Sequence, residues 1–234
     1  MKKLPFVLVI GLITFCVQAQ GIGAFTYLES KNIDIQQQQE FSNLTEDEFN
    51  DIQGSPYANQ TFLNGSVYQN DKLVSKNLFL RYNAYSDEVE IKTGDSDDAY
   101  DAMLKNPETF AKIGIDVYIF VAKNGVSSNG NYFSIVTAGD HFDLYKKTTV
   151  TYKAPYKGKT SYDSDKPGKF LQSNTYYLVS KEGIFHELPA RKSKILKVMS
   201  TKEEELNGYI KSNKLDVSNE MHLSNLVDYY NSIL

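Results

Sequence analysis

The chain has 234 residues, with 25 Lys plus Arg against 29 Asp plus Glu, 17 Tyr and 13 Phe but no Trp, and one cysteine. That length gives room for one good hydrophobic core or two small ones, and a single cysteine excludes an intramolecular disulfide. The acidic balance, a formal charge of −4, works against nucleic acid or an anionic membrane as the partner of the protein as a whole.

The amino terminus reads as an export leader. Met1-Lys2-Lys3 is a basic start, Leu4 to Val17 is an apolar run, and Val17-Gln18-Ala19 ends it in small-residue cleavage chemistry. The expected cut falls between Ala19 and Gln20. The run is shorter than the roughly 20 residues a membrane span needs, and no later stretch is long and apolar enough, so no transmembrane segment is expected after cleavage. Cys16 stands behind Phe15, where a lipoprotein signal needs a small residue, so the mature chain is expected to carry neither lipid nor thiol and to rely on core packing. Losing Lys2 and Lys3 leaves 25 less 2 basic residues against 29 acidic ones, a formal charge of −6. The expected location is the periplasm or the cell exterior.

Gln20 to Gln53 combines the run Gln36 to Gln39 with an acidic stretch of sparse apolar residues from Leu44 to Ile52, the composition of a loosely ordered lead. A β domain is expected over residues 54–189. Gly65 to Lys92 supplies a short strand, a polar turn, a long strand and a return strand. Leu78, Leu80, Tyr82 and Ala84 fall on one face of the long strand and Phe79, Arg81, Asn83 and Tyr85 on the other, the period-2 pattern of a sheet with one face in the core. Ser86-Asp87 offers turn chemistry before Val89 and Ile91. The acidic stretch Thr93 to Asp101 has carboxylates at Asp95, Asp97 and Asp101, but a calcium loop needs Gly where Tyr100 stands and Glu where Asn106 stands. It reads as a solvated loop, and no metal is expected.

Ile113 to Ala122 is predicted as one strand with Ile113, Ile115, Val117, Ile119 and Val121 alternating. Asn124-Gly125 and Asn129-Gly130 predict a loop, followed by strands over Tyr132 to Thr137 and Phe142 to Tyr152. Lys153 to Lys169, rich in Lys, Tyr, Gly and Pro, reads as an extended arm or long loop. A last hairpin joins Thr175 to Val179 and Ile184 to Leu188 around Lys181-Glu182-Gly183. Eight to ten strands joined by hairpin-like turns define an α+β protein: a mostly antiparallel sheet, meander or sandwich-like, followed by a helical tail over residues 190–234.

In that tail the period changes to about 3.6. A short helix is predicted around Lys192 to Met199. Ser200-Thr201-Lys202-Glu203 has the form of a capping box, with Leu206, Tyr209 and Ile210 on the buried face that follows. Ser218 is the predicted N-cap of a last helix striped by Leu223, Leu226, Val227 and Tyr230. The stripes are expected to pack on each other and on one face of the sheet.

Gly54-Ser55-Pro56-Tyr57, the strand Leu80-Arg81-Tyr82-Asn83 and the closing Leu226-Val227-Asp228-Tyr229-Tyr230-Asn231 carry a resemblance. Over residues 54–234 the chain resembles a group of uncharacterised secreted or periplasmic proteins of Bacteroidota-type bacteria. The resemblance implies a location and no chemistry.

No GxSxG elbow, HExxH, Walker loop or dinucleotide glycine fingerprint occurs. Of His141, His186 and His222, only His141 has suggestive neighbours. On a strand, Asp140-His141-Phe142-Asp143 puts His141 and Asp143 on one face, a pair able to serve acid–base chemistry or hold a metal. From Tyr145 to Phe170, lysines interleave with aromatic rings, the composition of grooves for acidic glycans or single strands. Lys153, Tyr156, Lys157 and Lys159 are the binding candidates. The absence of Trp speaks against a broad sugar-stacking platform. Together these readings predict a non-enzymatic envelope protein without cofactor, binding another envelope component such as a protein or an acidic polymer rather than nucleic acid. The alternative is a periplasmic hydrolase or metal-dependent enzyme using His141 and nearby carboxylates.

Overall fold

The computed structural model describes residues 28–29, 45, 47, 50–92, 100–123, 126–160 and 162–234. The leader with Cys16 and the Ala19–Gln20 cut, most of the lead including its glutamine run, residues 93–99 of the acidic loop and the Asn124-Gly125 turn lie outside them.

Eleven strands form one sheet among the described residues: β1 (Leu28–Glu29), β2 (Leu63–Gln69), β3 (Lys72–Asn83), β4 (Glu88–Lys92), β5 (Tyr100–Met103), β6 (Thr109–Ile113), β7 (Asp116–Lys123), β8 (Val126–Thr137), β9 (Phe142–Lys153), β10 (Lys169–Ser180) and β11 (Phe185–Leu188). Their spatial order, β1-β5-β4-β3-β2-β6-β7-β8-β9-β10-β11, is two meanders that meet where β2 pairs β6. Every pairing between these strands is antiparallel, as hairpin connections require. Three helices follow: α1 (Lys192–Val198), α2 (Glu203–Ser212) and α3 (Glu220–Ser232). The chain is therefore α+β, an antiparallel sheet with a helical C-terminal tail.

The sheet curls. Strands β8 and β9 pair only near the β8 end, at Ser134, Ile135 and Thr137, and part beyond that. The turn between β3 and β4 enters the gap. Val150 N–H donates to the Ala84 carbonyl at 3.1 Å, and Tyr132 N–H donates to the Asp87 carboxylate at 3.2 and 3.3 Å. Backbone groups that the split would orphan thus find partners, as buried amides must. Asp87 holds a φ of 57°, which aspartate tolerates better than most residues. Inside the curl lies the first core, built from Val67, Leu80, Tyr82, Val89, Ile91, Ile113, Phe120 and Tyr132 among others. The predicted inner face of β3 lies in or against this core.

The second core lies between the β9–β11 end of the sheet and the tail. Leu144, Leu178 and Leu188 meet Ile195, Leu196, Leu206, Ile210, Leu223, Leu226, Val227 and Tyr230. The tail stripes read from the sequence are buried there. Asn231 pins the contact: its Oδ1 accepts from His141 N–H at 2.9 Å and Phe142 N–H at 2.8 Å, and its Nδ2 donates to the Phe142 carbonyl at 3.0 Å. Gly139 is bare because a side chain there would run into this amide.

Several local expectations are corrected. Ile113 to Ala122 is not one strand: Gly114, with φ 58°, and Ile115 form a two-residue turn between β6 and β7. Glycine at the first central position suits a primed hairpin turn. Ile115 is 94% exposed, and Tyr118 and Phe120 are the inner residues of β7. Asn129-Gly130 lies within β8, where Gly130 pairs Ala122. A side chain at Gly130 would press on Phe120 and the β7 backbone. The capping box does not form, because Ser200 opens a 3-10 turn instead (Ser200–Lys202), and neither it nor α2 has a side-chain N-cap. The N-cap of α3 is Asn219, which accepts from His222 N–H, while Ser218 hydrogen-bonds Asp216.

Candidate functional site

Strands β9 and β10 pair continuously from Ser180↔Phe142 to Lys169↔Lys153, and the segment 154–168 continues them as an arm. Pro155 and Pro167 lack the amide a ladder needs, so regular pairing stops, and a single bridge resumes it. Tyr156 N–H donates to the Lys166 carbonyl, and Lys166 N–H to the Tyr156 carbonyl, both at 2.8 Å. The lead is stapled to the base of the arm. Gln53 N–H donates to the Gly168 carbonyl at 2.9 Å, and Phe170 N–H to the Gln53 carbonyl at 2.8 Å.

Between this staple and the arm opens a cleft of about 320 Å³, lined by Asp51, Gln53, Tyr156, Lys157, Asp165 and Lys166 together with Pro155, Pro167 and Gly168. Tyr156 Oη donates to Asp163 Oδ2 at 2.5 Å, which raises the pKa of the phenol. The Lys166 ammonium lies 5.7 Å from the centre of the same ring. Asp165 accepts from Gly158 N–H at 2.8 Å and sits 3.5 Å from the Lys157 ammonium. The amide first and the ammonium second hold its carboxyl below the usual carboxylate range. Of the four predicted binding residues, Tyr156 and Lys157 line the cleft. Lys153 and Lys159 lie on the arm outside its lining, and all four are exposed.

Electrostatics sets the arm apart. Residues 153–169 carry Lys153, Lys157, Lys159, Lys166 and Lys169 against Asp163 and Asp165, in a chain whose net charge is negative. Lys153 and Lys169 stand directly opposite each other across the β9–β10 ladder, a like-charge placement that destabilises a sheet. Lys146 and Lys147, which the sequence counts with the arm, leave it: Lys146 pairs Glu220 of α3 at 2.8 Å, and Lys147 pairs Asp87.

His141 sits in the turn before β9, exposed. Asp143 accepts from Lys181 Nζ at 2.7 Å and from Gly139 N–H at 3.1 Å. His222 Nδ1 accepts from Asp216 N–H at 3.0 Å, on the tail, and His186 lies on the edge strand β11. Among the described residues no three His, Cys, Asp or Glu side chains group as a metal site would require, and no helix is long and apolar enough to cross a membrane.

Two further polar clusters lie in the sheet. In the first, the Lys147 ammonium bonds Asp87 Oδ1, Tyr82 Oη at 3.0 Å and the Tyr132 carbonyl at 3.2 Å. Burial pushes the Lys147 pKa down, against the pull of Asp87. A lysine poised for nucleophilic work needs a free lone pair, whereas this ammonium has an acceptor for each of its three donors. It fastens a seam between the β3–β4 turn and strands β8 and β9. In the second, Arg81 Nε and Nη2 donate to Glu90 Oε2 at 3.0 and 2.6 Å, and Asn83 Nδ2 donates to Glu90 Oε1 at 2.8 Å. The Arg81 guanidinium lies 3.4 Å from the centre of the Tyr57 ring and 4.2 Å from that of Phe62. Both charges are occupied and the cluster secures residues 57–62 to the sheet. The Lys147 contacts join residues 60 and 65 positions apart, Asp87 and Tyr82, beyond the reach of any local pattern, whereas Arg81 and Glu90 face each other across the β3–β4 hairpin.

Comparison with protein families, with curated proteins and with solved structures finds no match.

Proposed function

We propose that the protein is an exported cell-envelope module, periplasmic or secreted, that binds an acidic envelope polymer through its arm and carries out no reaction of its own. The observation that carries this reading is the concentration of exposed positive charge on 153–169, including the opposed Lys153 and Lys169, in an otherwise acidic protein. A sheet edge or loop needs no such pairing for folding, whereas a polyanion lying along the arm would neutralise it. The basic and apolar leader read from Met1 to Ala19 supports the location.

The test is retention on an anionic polysaccharide matrix at physiological salt. Wild type is expected to be retained, and the triple variant Lys153→Gln, Lys157→Gln, Lys159→Gln to elute in the flow-through. The thermal midpoint should barely differ, because exposed charges contribute little to stability. Flow-through elution of both proteins would refute the proposal.

A further inference from the structure

We infer that the cleft at the base of the arm seats one or two rings of a carboxylate-bearing glycan, with the acid on the lysines and the hydroxyls on the opposing carboxylates. The inference rests on the proposed binding of an acidic polymer and names its chemical class. A polyphosphate or nucleic-acid backbone presents an anion at every repeat and favours a groove of one sign. This cleft has both signs: Lys157 and Lys166 share its lining with Asp51, Asp165 and the neutral Gln53, and Lys157 lies 3.5 Å from Asp165. A uronic acid ring presents one carboxylate and several hydroxyls, so it offers an acceptor to each ammonium and a donor to each carboxylate. Ligand clefts of this size, about 320 Å³, lie at the lower end of the range for small-molecule sites and suit a short stretch of a chain rather than a long segment.

The geometry also supplies a fixed ring. Tyr156 is held at its hydroxyl by Asp163 and at both backbone groups by Lys166, so its plane is set before a ligand arrives. Preorganised contacts of this kind lower the entropy lost on binding. In a chain without tryptophan, tyrosine is the plane available to the apolar face of a sugar, and this one is 38% exposed and lines the cleft. The carboxylate of Asp165 is likewise oriented by Gly158 N–H before binding.

The experiment is calorimetric titration of the full exported chain with three probes: a galacturonate oligomer, a neutral galactose oligomer and inorganic polyphosphate. The galacturonate oligomer is expected to bind most tightly. Tyr156→Ala should weaken it by about tenfold, the usual effect of removing an aromatic anchor, while Tyr156→Phe, which keeps the ring but loses the Asp163 tether, should weaken it by less. Asp51→Asn, at an exposed position that leaves the Asp165–Gly158 turn intact, should weaken the uronate and strengthen polyphosphate. If polyphosphate binds as tightly as the uronate, and Asp51→Asn strengthens both, the glycan assignment is wrong while the acidic-polymer reading stands. If the neutral oligomer matches the uronate, the role of the carboxylate is wrong. If no probe binds, both readings fall. Melting of each variant, compared with wild type, separates lost binding from lost folding.

Discussion

Replacing Asp87 by alanine tests whether the β3–β4 turn closes the sheet. In the intact protein the Asp87 carboxylate accepts from Tyr82 Oη at 2.7 Å, from Tyr132 N–H and from the Lys147 ammonium. The two charged side chains are only 18% and 14% exposed, so the alanine variant leaves an ammonium mostly out of water with two neutral acceptors. Breaking one partner of a buried pair costs about 3–5 kcal/mol; the residual exposure here places the expected loss near the bottom of that range, about 3 kcal/mol. That is a large share of the roughly 5–15 kcal/mol stability of a typical domain. Lys147→Met removes the stranded charge, so the double variant should lose less than the sum of the single changes, by about 1–3 kcal/mol. Urea unfolding followed by tyrosine fluorescence is a suitable assay, since the chain has 17 Tyr and no Trp. A loss below about 1 kcal/mol for Asp87→Ala, or strict additivity in the cycle, would show that the seam is held by something else.

Leu226, fully buried in the second core, should cost about 2–5 kcal/mol when truncated to alanine, read as a lower urea midpoint; a negligible shift would mean that the tail contributes little to the fold. Stability should fall steeply above about pH 10. Burial first, and the Asp87 charge for two of them, raise the pKa values of Tyr82, Tyr118 and Tyr132, and Tyr100 is pushed up to about 12. A phenol raised in the folded state contributes fully below its unfolded pKa and loses that contribution as pH rises beyond it, by up to about 1.4 kcal/mol per pH unit for each group. The depressed Lys147 works the other way, gaining as pH rises towards about 10.5, but it is one group against several. Urea midpoints that stay level from about pH 9 to 11 would contradict this reading.

What the sequence revealed was local. Period-2 alternation placed Leu80 and Tyr82 inside, and the 3.6 period placed Leu206, Ile210, Leu223, Leu226, Val227 and Tyr230 on buried stripes, because side-chain direction follows directly from chain geometry. Alternation failed over Ile113 to Ala122: Ile113 is buried, but the Gly114-Ile115 turn breaks the strand and shifts the phase, so Val117, Ile119 and Val121 are only half-buried while Tyr118 and Phe120 face the core. The capping box failed because Ser200 entered a 3-10 turn, leaving its hydroxyl out of the cap. The seam at Asp87, Tyr82 and Lys147 was out of reach, since it depends on a sheet that curls until distant strands touch. The arm was legible as composition. Its cleft was not, because Asp51 and Gln53 come from the lead and only the staple to Gly168 and Phe170 brings them alongside Tyr156 and Lys157.

The most direct measurement of the arm's role is the salt dependence of the dissociation constant for an acidic polysaccharide, in wild type and in the triple variant lacking Lys153, Lys157 and Lys159. Each neutralised anion releases counterions, so affinity should fall linearly on logarithmic axes as salt rises, with a slope of roughly 0.7–0.9 per ion contact. The variant should bind more weakly, with a slope shallower by about 2–3. An affinity that is indifferent to salt, or a slope equal in the two proteins, would contradict binding through the arm.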